Sequence, residues 1–234
     1  EMPGGWRPLI YCWRGGQRSG SISLILSEVG WRVARLEGGY KAWRREVITC
    51  LHDRPFPAPV ILLDGNTGSA KTEVLRLLPE RGVQVLDLEG MANHRGSLFG
   101  GQGPQPSQRA FEGRLAVTLA SLDPARPVVV EAESSRIGNC LLPPTLWRAM
   151  KAAPRIAIVA SAAARADYLI RAYGDLLADP GRLAAIVESL RPLHPAARVE
   201  EWQALILRGA WRELAAELML HHYDPRSNRH RARA

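Results

Sequence analysis

Two short stretches carry residue types at spacings suited to chemistry on anions. In "IYCWRGGQRSG", Ile10 to Gly20, Cys12 closes an apolar run, a loop with two glycines and two arginines follows, and a helix-like run begins near Arg18 or Ser19. A free cysteine is by default a small core residue. Here, backbone amides of residues 13–18 can curl around the sulfur if Gly15 and Gly16 take the positive φ that such a nest demands. Arg14, Arg18 and the helix amino terminus would then favour the thiolate, which is the nucleophilic form. Cys12 is therefore the candidate nucleophile, with Arg14, Gly15, Gly16 and Arg18 as its anion-binding surroundings.

The second stretch is "VILLDGNTGSAKTEVLRLL", a buried strand, a glycine turn, a lysine and threonine, and an amphipathic helix. Against the phosphate-loop pattern G-x-x-x-x-G-K-[ST], Gly65, Lys71 and Thr72 match, and Ala70 stands where the second glycine is expected. Gly68 supplies flexibility inside the loop, and alanine at position 70 calls for a negative φ or mild strain. The reading is a diphosphate held by amides of residues 67–72, with Gly65, Thr67, Gly68, Ser69, Lys71 and Thr72 as its contacts, Lys71 neutralising it and Thr72 placed to hold Mg²⁺.

Around these lie weaker signals. "RPVVVEAES" ends a strand with Glu131 and Glu133, which share one face and stand where an acid would order magnesium or a water, although either suits a solvated strand end. Asp87 and Glu89 are expected to end another strand. His94 and Arg95 fall in a glycine-rich loop of about 17 residues from Gly90 to Pro106, longer than an ordinary connection and so read as a functional loop or lid. His94 is a candidate base, an RNA contact or a bystander. Cys50 and Cys140 are given no chemical role.

The elements that must position these residues follow from periodicity. The first 52 residues read as a strand at 8–11, a helix at 18–29, a strand at 31–36, a Gly-Gly turn and a second helix. The proline-rich segment 53–59 reads as a linker. From Val60, apolar runs at 60–64, 83–89, 127–131 and 155–161 suit a parallel sheet covered on both faces. Helices are expected at 162–177, 180–190 and 195–221, with Asp179 as a cap and Pro180 in the first turn. Residues 223–234 form a basic, frayed tail. The fold class is thus α/β: a partial amino-terminal module, then a phosphate-loop domain over residues 60–222 with a helical carboxy-terminal part. A first module of two strands and two helices buries too little surface to stand alone. With glutamate at position 1 as well, its front half is expected to lie outside this chain.

Composition narrows the class. The 234 residues are 46% hydrophobic and 23% charged, with no apolar run long enough to span a bilayer. No signal-peptide pattern opens the chain, so a cytoplasmic location without membrane association is expected. Three widely spaced cysteines exclude a disulfide framework or a paired-cysteine zinc site. A formal charge of +8 favours a polyanionic partner, and Arg226, Arg229, Arg231 and Arg233 concentrate that charge in the tail.

The strand-end cysteine with its loop and "LEGGYKAW" resembles the carboxy-terminal half of a rhodanese domain, a family that carries sulfur as a cysteine persulfide. Joined to a phosphate loop, and together with "LDLEGMANHRGSLFG", "QPSQRAFEGRL", "VVVEAESSRIG" and "HHYDPR", the chain resembles the tRNA 2-selenouridine synthase family along most of its length. The resemblance implies a transferase that replaces sulfur of wobble 2-thiouridine in tRNA by selenium from selenophosphate, through an S-geranyl intermediate made from geranyl diphosphate. It further implies that Cys12 serves selenation, that Arg14 and Arg18 steady a selenophosphate or a tRNA phosphate, and that the glycine loop grips the prenyl diphosphate. Two alternatives remain: a small-molecule kinase with a vestigial sulfurtransferase module, and a tRNA-binding remnant without chemistry.

Overall fold

The apolar runs become a four-stranded parallel sheet in which residues 84–86, 128–131, 60–65 and 155–158 lie side by side in that order. The computed structural model describes residues 5–14, 16–95, 99 and 103–231. In chain order, β1 (Leu9–Ile10), α1 (Gln17–Glu28), β2 (Ala34–Arg35) and α2 (Gly39–Ile48) form the amino-terminal unit, in which β1 and β2 pair in parallel. A π-helical turn, Thr49–Asp53, ends it. There follow β3 (Val60–Gly65), α3 (Lys71–Leu77), β4 (Gln84–Leu86), α4 (Leu88–Ala92), α5 (Gln108–Ala120) and β5 (Val128–Glu131). A small antiparallel ribbon, β6 (Arg136–Ile137) with β7 (Cys140–Leu141), leads to α6 (Pro144–Ala152) and β8 (Arg155–Ile158). The remainder is helical: α7 (Ala162–Ala172), α8 (Gly174–Leu177), α9 (Pro180–Glu188), α10 (Ala196–Leu207), α11 (Trp211–Leu218) and α12 (Asp224–Arg231).

Successive strand residues point to opposite faces, and the core divides accordingly. Val60, Leu62, Val128 and Val130 pack on one face with Leu115 of α5 and Leu146 of α6. Leu63 and Val129 pack on the other with Leu75 of α3. Both faces are therefore covered, as non-alternating apolar strands require. Val47 and Leu51, from the amino-terminal unit, are buried in the first of these clusters, so one core runs across residue 53. The Thr145 hydroxyl donates to the Leu51 carbonyl at 2.5 Å, and Arg44 forms an ion pair with buried Glu112.

Several elements are shorter than periodicity suggested, each for a local reason. The run 83–89 is a strand only over 84–86, because Asp87 caps α4 by accepting from the Gly90 amide at 2.7 Å; Asp87 and Glu89 do not end a strand. α4 also removes residues 90–92 from the expected loop, while Gly96 and Ser97 lie outside the described residues. The helix expected at 162–177 breaks at Tyr173, and that at 195–221 breaks at Gly209, which has φ +64°. Asp179 caps α9 with Pro180 in its first turn, as expected. The tail is not frayed over 224–231 but helical, held by ion pairs from Asp224 to Arg165 and from Arg231 to Asp64. Arg233 lies outside the described residues. Among the described residues no helix is long and apolar enough to cross a membrane.

Candidate functional site

The order of winding reverses about β3: the chain leaves it towards β4 and later crosses from β5 to β8 on its other side. In open α/β sheets that topology opens a crevice beyond the carboxyl ends of the strands. The loop from Gly65 to Thr72 occupies this place. Gly65 has φ +152°, and a Cβ there would meet the Ser69 hydroxyl at 2.5 Å and the Ile158 carbonyl at 2.9 Å, so glycine is required. Gly68 has φ +85° and lies against α7, where a Cβ would stand 2.9 Å from the Arg165 carbonyl oxygen. Ala70 adopts φ 62° and ψ 26°, the left-handed conformation that the pattern reserves for glycine. Of the alternatives open to it, strain rather than a negative φ prevails, at a cost of about 1–2 kcal/mol for an L-residue.

Gly65, Thr67, Gly68, Lys71 and Thr72 all line an open cleft of about 700 Å³. Ser69 does not: it is buried, and its hydroxyl has no hydrogen-bond partner among the described residues. The Lys71 ammonium donates to the Gly65 carbonyl at 2.8 Å and lies 4.0 Å from Glu131. The Thr72 hydroxyl stands 3.1 Å from Glu131 Oε2 and 3.3 Å from Glu89 Oε2.

Glu89, Glu131 and Glu133 form a cluster whose carboxylate oxygens lie within 4.8 Å of one another. Burial holds their pKa values above the ordinary carboxylate range: Glu89 rises to about 10 and Glu131 to about 7, both reinforced by neighbouring carboxylates and Glu131 against the opposing pull of Lys71, while Glu133 rises by burial against its hydrogen bond with Glu89. Glu131 and Glu133 were candidates from sequence. Glu89 was missed as a site residue because its neighbours read as a strand end; the capping aspartate two residues earlier was the available signal. His94 and Arg95 also line the cleft, His94 with a pKa lowered by burial and Arg95 bonded to Asp175 at 3.2 Å above the Tyr173 ring.

An apolar pocket adjoins the cleft. Its walls are mostly hydrocarbon from α7, α8, α9 and α11, including Ile170, Leu176, Leu214 and Leu218, and Thr67, Leu169, Tyr173 and Tyr223 line both cavities. The polar loop and the greasy pocket are thus continuous, an arrangement that suits a ligand with an anionic head and a hydrocarbon body.

Cys12 does not line that cleft. It is half-exposed, accepting from the Ser19 hydroxyl and the Gly16 amide, each at 3.4 Å. Its thiol is lowered to about 6, first by the Ser19 hydroxyl and then by the amides of Gly16, Ser19 and Arg14. Of the expected amide cradle, the Gly16 amide is in place, and hydrogen bonds rather than the charges of Arg14 and Arg18 lower the thiol. Gly16 has φ −149° rather than a positive value, and Gly15 lies outside the described residues. Ser19, in the first turn of α1, is the residue that sequence reasoning missed. The Tyr40 and Lys41 amides, at the start of α2, donate to the carbonyls of Cys12 and Trp13 at 2.9 and 3.3 Å, fixing the loop from the other side.

A parallel α/β sheet with a glycine loop and buried acids at its carboxyl edge is consistent with the phosphate-loop-like class of α/β domain. Residues 58–183 match the family described as tRNA 2-selenouridine synthase AAA domain, and the chain belongs to that family. It is 36% identical to the tRNA 2-selenouridine synthase of Pseudomonas syringae pv. tomato, over 84% of this chain and 57% of the relative. It is 39% identical to that of Hahella chejuensis over 72% of this chain and 47% of the relative, and 41% identical to that of Alcanivorax borkumensis over 70% and 45%. The chain spans about half the length of the curated relatives it matches.

Proposed function

We propose that this chain carries the prenyl-transfer and selenation machinery of a tRNA-modifying transferase that acts on wobble 2-thiouridine. The observation that carries the reading is the continuity of the glycine-loop cleft with the apolar pocket. Geranyl diphosphate fits both: its diphosphate against the loop amides and Lys71, its tail among the leucines. The thiouridine sulfur attacks the geranyl carbon that bears the diphosphate, the carbon–oxygen bond breaks, and the charge growing on the departing oxygen is met by preorganised N–H groups and the Lys71 ammonium. S-alkylation converts the sulfur into a better leaving group: selenium from selenophosphate bonds to the pyrimidine carbon that carries the sulfur, that carbon–sulfur bond breaks, geranylthiol departs, and hydrolysis of the selenium–phosphorus bond releases phosphate. Cys12, with its lowered thiol pKa, serves that second half as nucleophile or chalcogen carrier.

The oxygen-rich set of Thr72, Glu89, Glu131 and Glu133 matches the hard ligands that Mg²⁺ prefers, and the crowding of three acids is what a cation would relieve. A magnesium ion held by these residues would neutralise charge on the leaving diphosphate. The basic surplus and the tail arginines suit the tRNA partner.

The test is nucleoside mass spectrometry of thiolated tRNA incubated with the protein, geranyl diphosphate and selenophosphate. Lys71→Ala is expected to stop geranylation; Cys12→Ser is expected to stop selenium entry while sparing geranylation. A Cys12→Ser protein that still selenates removes that cysteine from the mechanism, and ATP turnover in place of prenyl transfer would replace the whole reading with a kinase.

A further inference from the structure

The stretch "HHYDPR" marks the family resemblance, yet nothing above gives it work to do. In the fold, His222, Tyr223 and Arg226 line the cleft, and Asp224 reaches its loop through Arg165. Asp224 accepts two hydrogen bonds from the Arg165 guanidinium, at 2.9 and 2.6 Å. Arg165 is buried, and its Nε donates to the Thr67 carbonyl at 2.8 Å. Its charge is matched by Asp224 and its donors face protein, so Arg165 acts on the loop rather than on a ligand. Since Thr67 precedes the glycine that packs directly on the Arg165 backbone, this clamp fixes the crown of the loop from outside.

Two residues further on, Arg226 projects into the cleft. Its Nη1 lies 3.1 Å from His222 Nε2, and His222 Nδ1 lies 3.0 Å from His194 Nε2. A guanidinium can only donate, so Nε2 of His222 accepts and its proton sits on Nδ1, donated to His194. His222 is therefore neutral, in keeping with its burial and with a pKa lowered to about 4 by that burial, by Arg226 and by His194. The cleft arginines divide accordingly. Arg155 and Arg231 pair with Asp64 and Arg95 with Asp175, whereas Arg226 and, on α3, Arg76 line the cleft without an ion pair among the described residues, and of these two only Arg226 is held by the histidine pair. Arg226 is held by an uncharged partner, forms no ion pair among the described residues, and keeps its full charge facing the loop's cavity.

We propose that Arg226 is an anion-binding residue for the diphosphate held by the Gly65–Thr72 loop, aimed by His222, and that Asp224 and Arg165 are positioning residues that hold the loop for the same ligand. The carboxy-terminal segment is then a wall of the site, not an appendage. The identity of the ligand rests on the reading given under Proposed function; the role of Arg226 as an anion contact rests on the geometry alone.

The test measures binding of inorganic pyrophosphate, and separately of an anticodon stem-loop RNA, by calorimetry on the full chain. Arg226→Gln is expected to weaken pyrophosphate at least tenfold, the range of a lost charge-assisted hydrogen bond. Arg226→Lys, which keeps the charge but loses the fork, should fall between the two. Arg226 is exposed, so both variants should unfold at the wild-type temperature. Asp224→Asn should weaken pyrophosphate while leaving RNA binding unchanged. If Arg226→Gln binds pyrophosphate within twofold of wild type while Lys71→Ala loses it, the inference is wrong and the diphosphate reading survives. If Lys71→Ala keeps wild-type affinity while Arg226→Gln loses it, the loop reading fails and the anion role of Arg226 stands. Loss confined to the RNA arm overturns the proposal in favour of an RNA contact.

Discussion

Ala70 offers the sharpest test of the loop's conformation. Its φ of 62° and ψ of 26° place a Cβ in the left-handed region, which costs an L-residue about 1–2 kcal/mol. Glycine removes that cost but gives up about 0.5–1 kcal/mol of backbone entropy on folding. Ala70→Gly should therefore stabilise the protein by about 0.5–1 kcal/mol, or roughly 1–4 °C in Tm for a chain of this size. The hydrogen bonds around position 70 survive the change, since the Val74 amide donates to the Ala70 carbonyl at 3.0 Å and the Ser69 amide to the Asn66 carbonyl at 3.0 Å, both through backbone atoms alone. The assay is thermal unfolding followed by circular dichroism, with Ala70→Val alongside, whose branched Cβ should lower Tm. An Ala70→Gly protein that melts at or below the wild-type temperature refutes the argument, because the loop would then not hold residue 70 left-handed without ligand.

Two further outcomes are expected. Alkylation of Cys12 by iodoacetamide, read by peptide mass spectrometry, should titrate with a midpoint near 6, whereas burial raises the thiols of Cys50 and Cys140, so labelling near neutral pH should be selective. Ser19→Ala removes the largest cause of the shift and should move that midpoint upward; an unmoved midpoint would show that the hydroxyl is not responsible. Ala215→Phe, which fills the apolar pocket, should abolish the advantage of geranyl diphosphate over pyrophosphate while leaving pyrophosphate affinity unchanged, and equal losses for both ligands would disconnect the pocket from the tail.

The strands were legible because Val60–Gly65 and Val128–Glu131 are buried on both faces and cannot alternate, and the loop was legible because its chemistry is local in sequence. What escaped was tertiary. Arg165 and Asp224 are 59 residues apart, and no period relates them. Helix α12 has no apolar stripe, so propensity alone leaves its sequence as a tail; ion pairs to β3 and to α7 hold it. Glu89 was hidden by a short strand that stops at Leu86, and Ser19 by attention to the arginines beside it. The charges near Cys12 looked decisive on paper, yet a solvated guanidinium acts weakly where a directed hydroxyl acts strongly.

A glycine loop by itself does not choose between a nucleotide and a prenyl diphosphate; its surroundings do. Beside Thr67 the pocket offers leucine, isoleucine and aromatic rings, and among the described residues only the Thr67 hydroxyl, two tyrosines and one indole supply polar edges. A purine buried there would leave ring nitrogens and an amino group short of partners, at about 1–3 kcal/mol for each unsatisfied group. An isoprenoid tail has no such groups and gains about 0.8 kcal/mol for each methylene taken from water. Two unsatisfied purine groups set against several buried carbons separate the ligands by well over a hundredfold in affinity, given about 1.4 kcal/mol for each factor of ten. On the proposed function, such selectivity would come from helices α7, α8, α9 and α11, far beyond the loop in sequence.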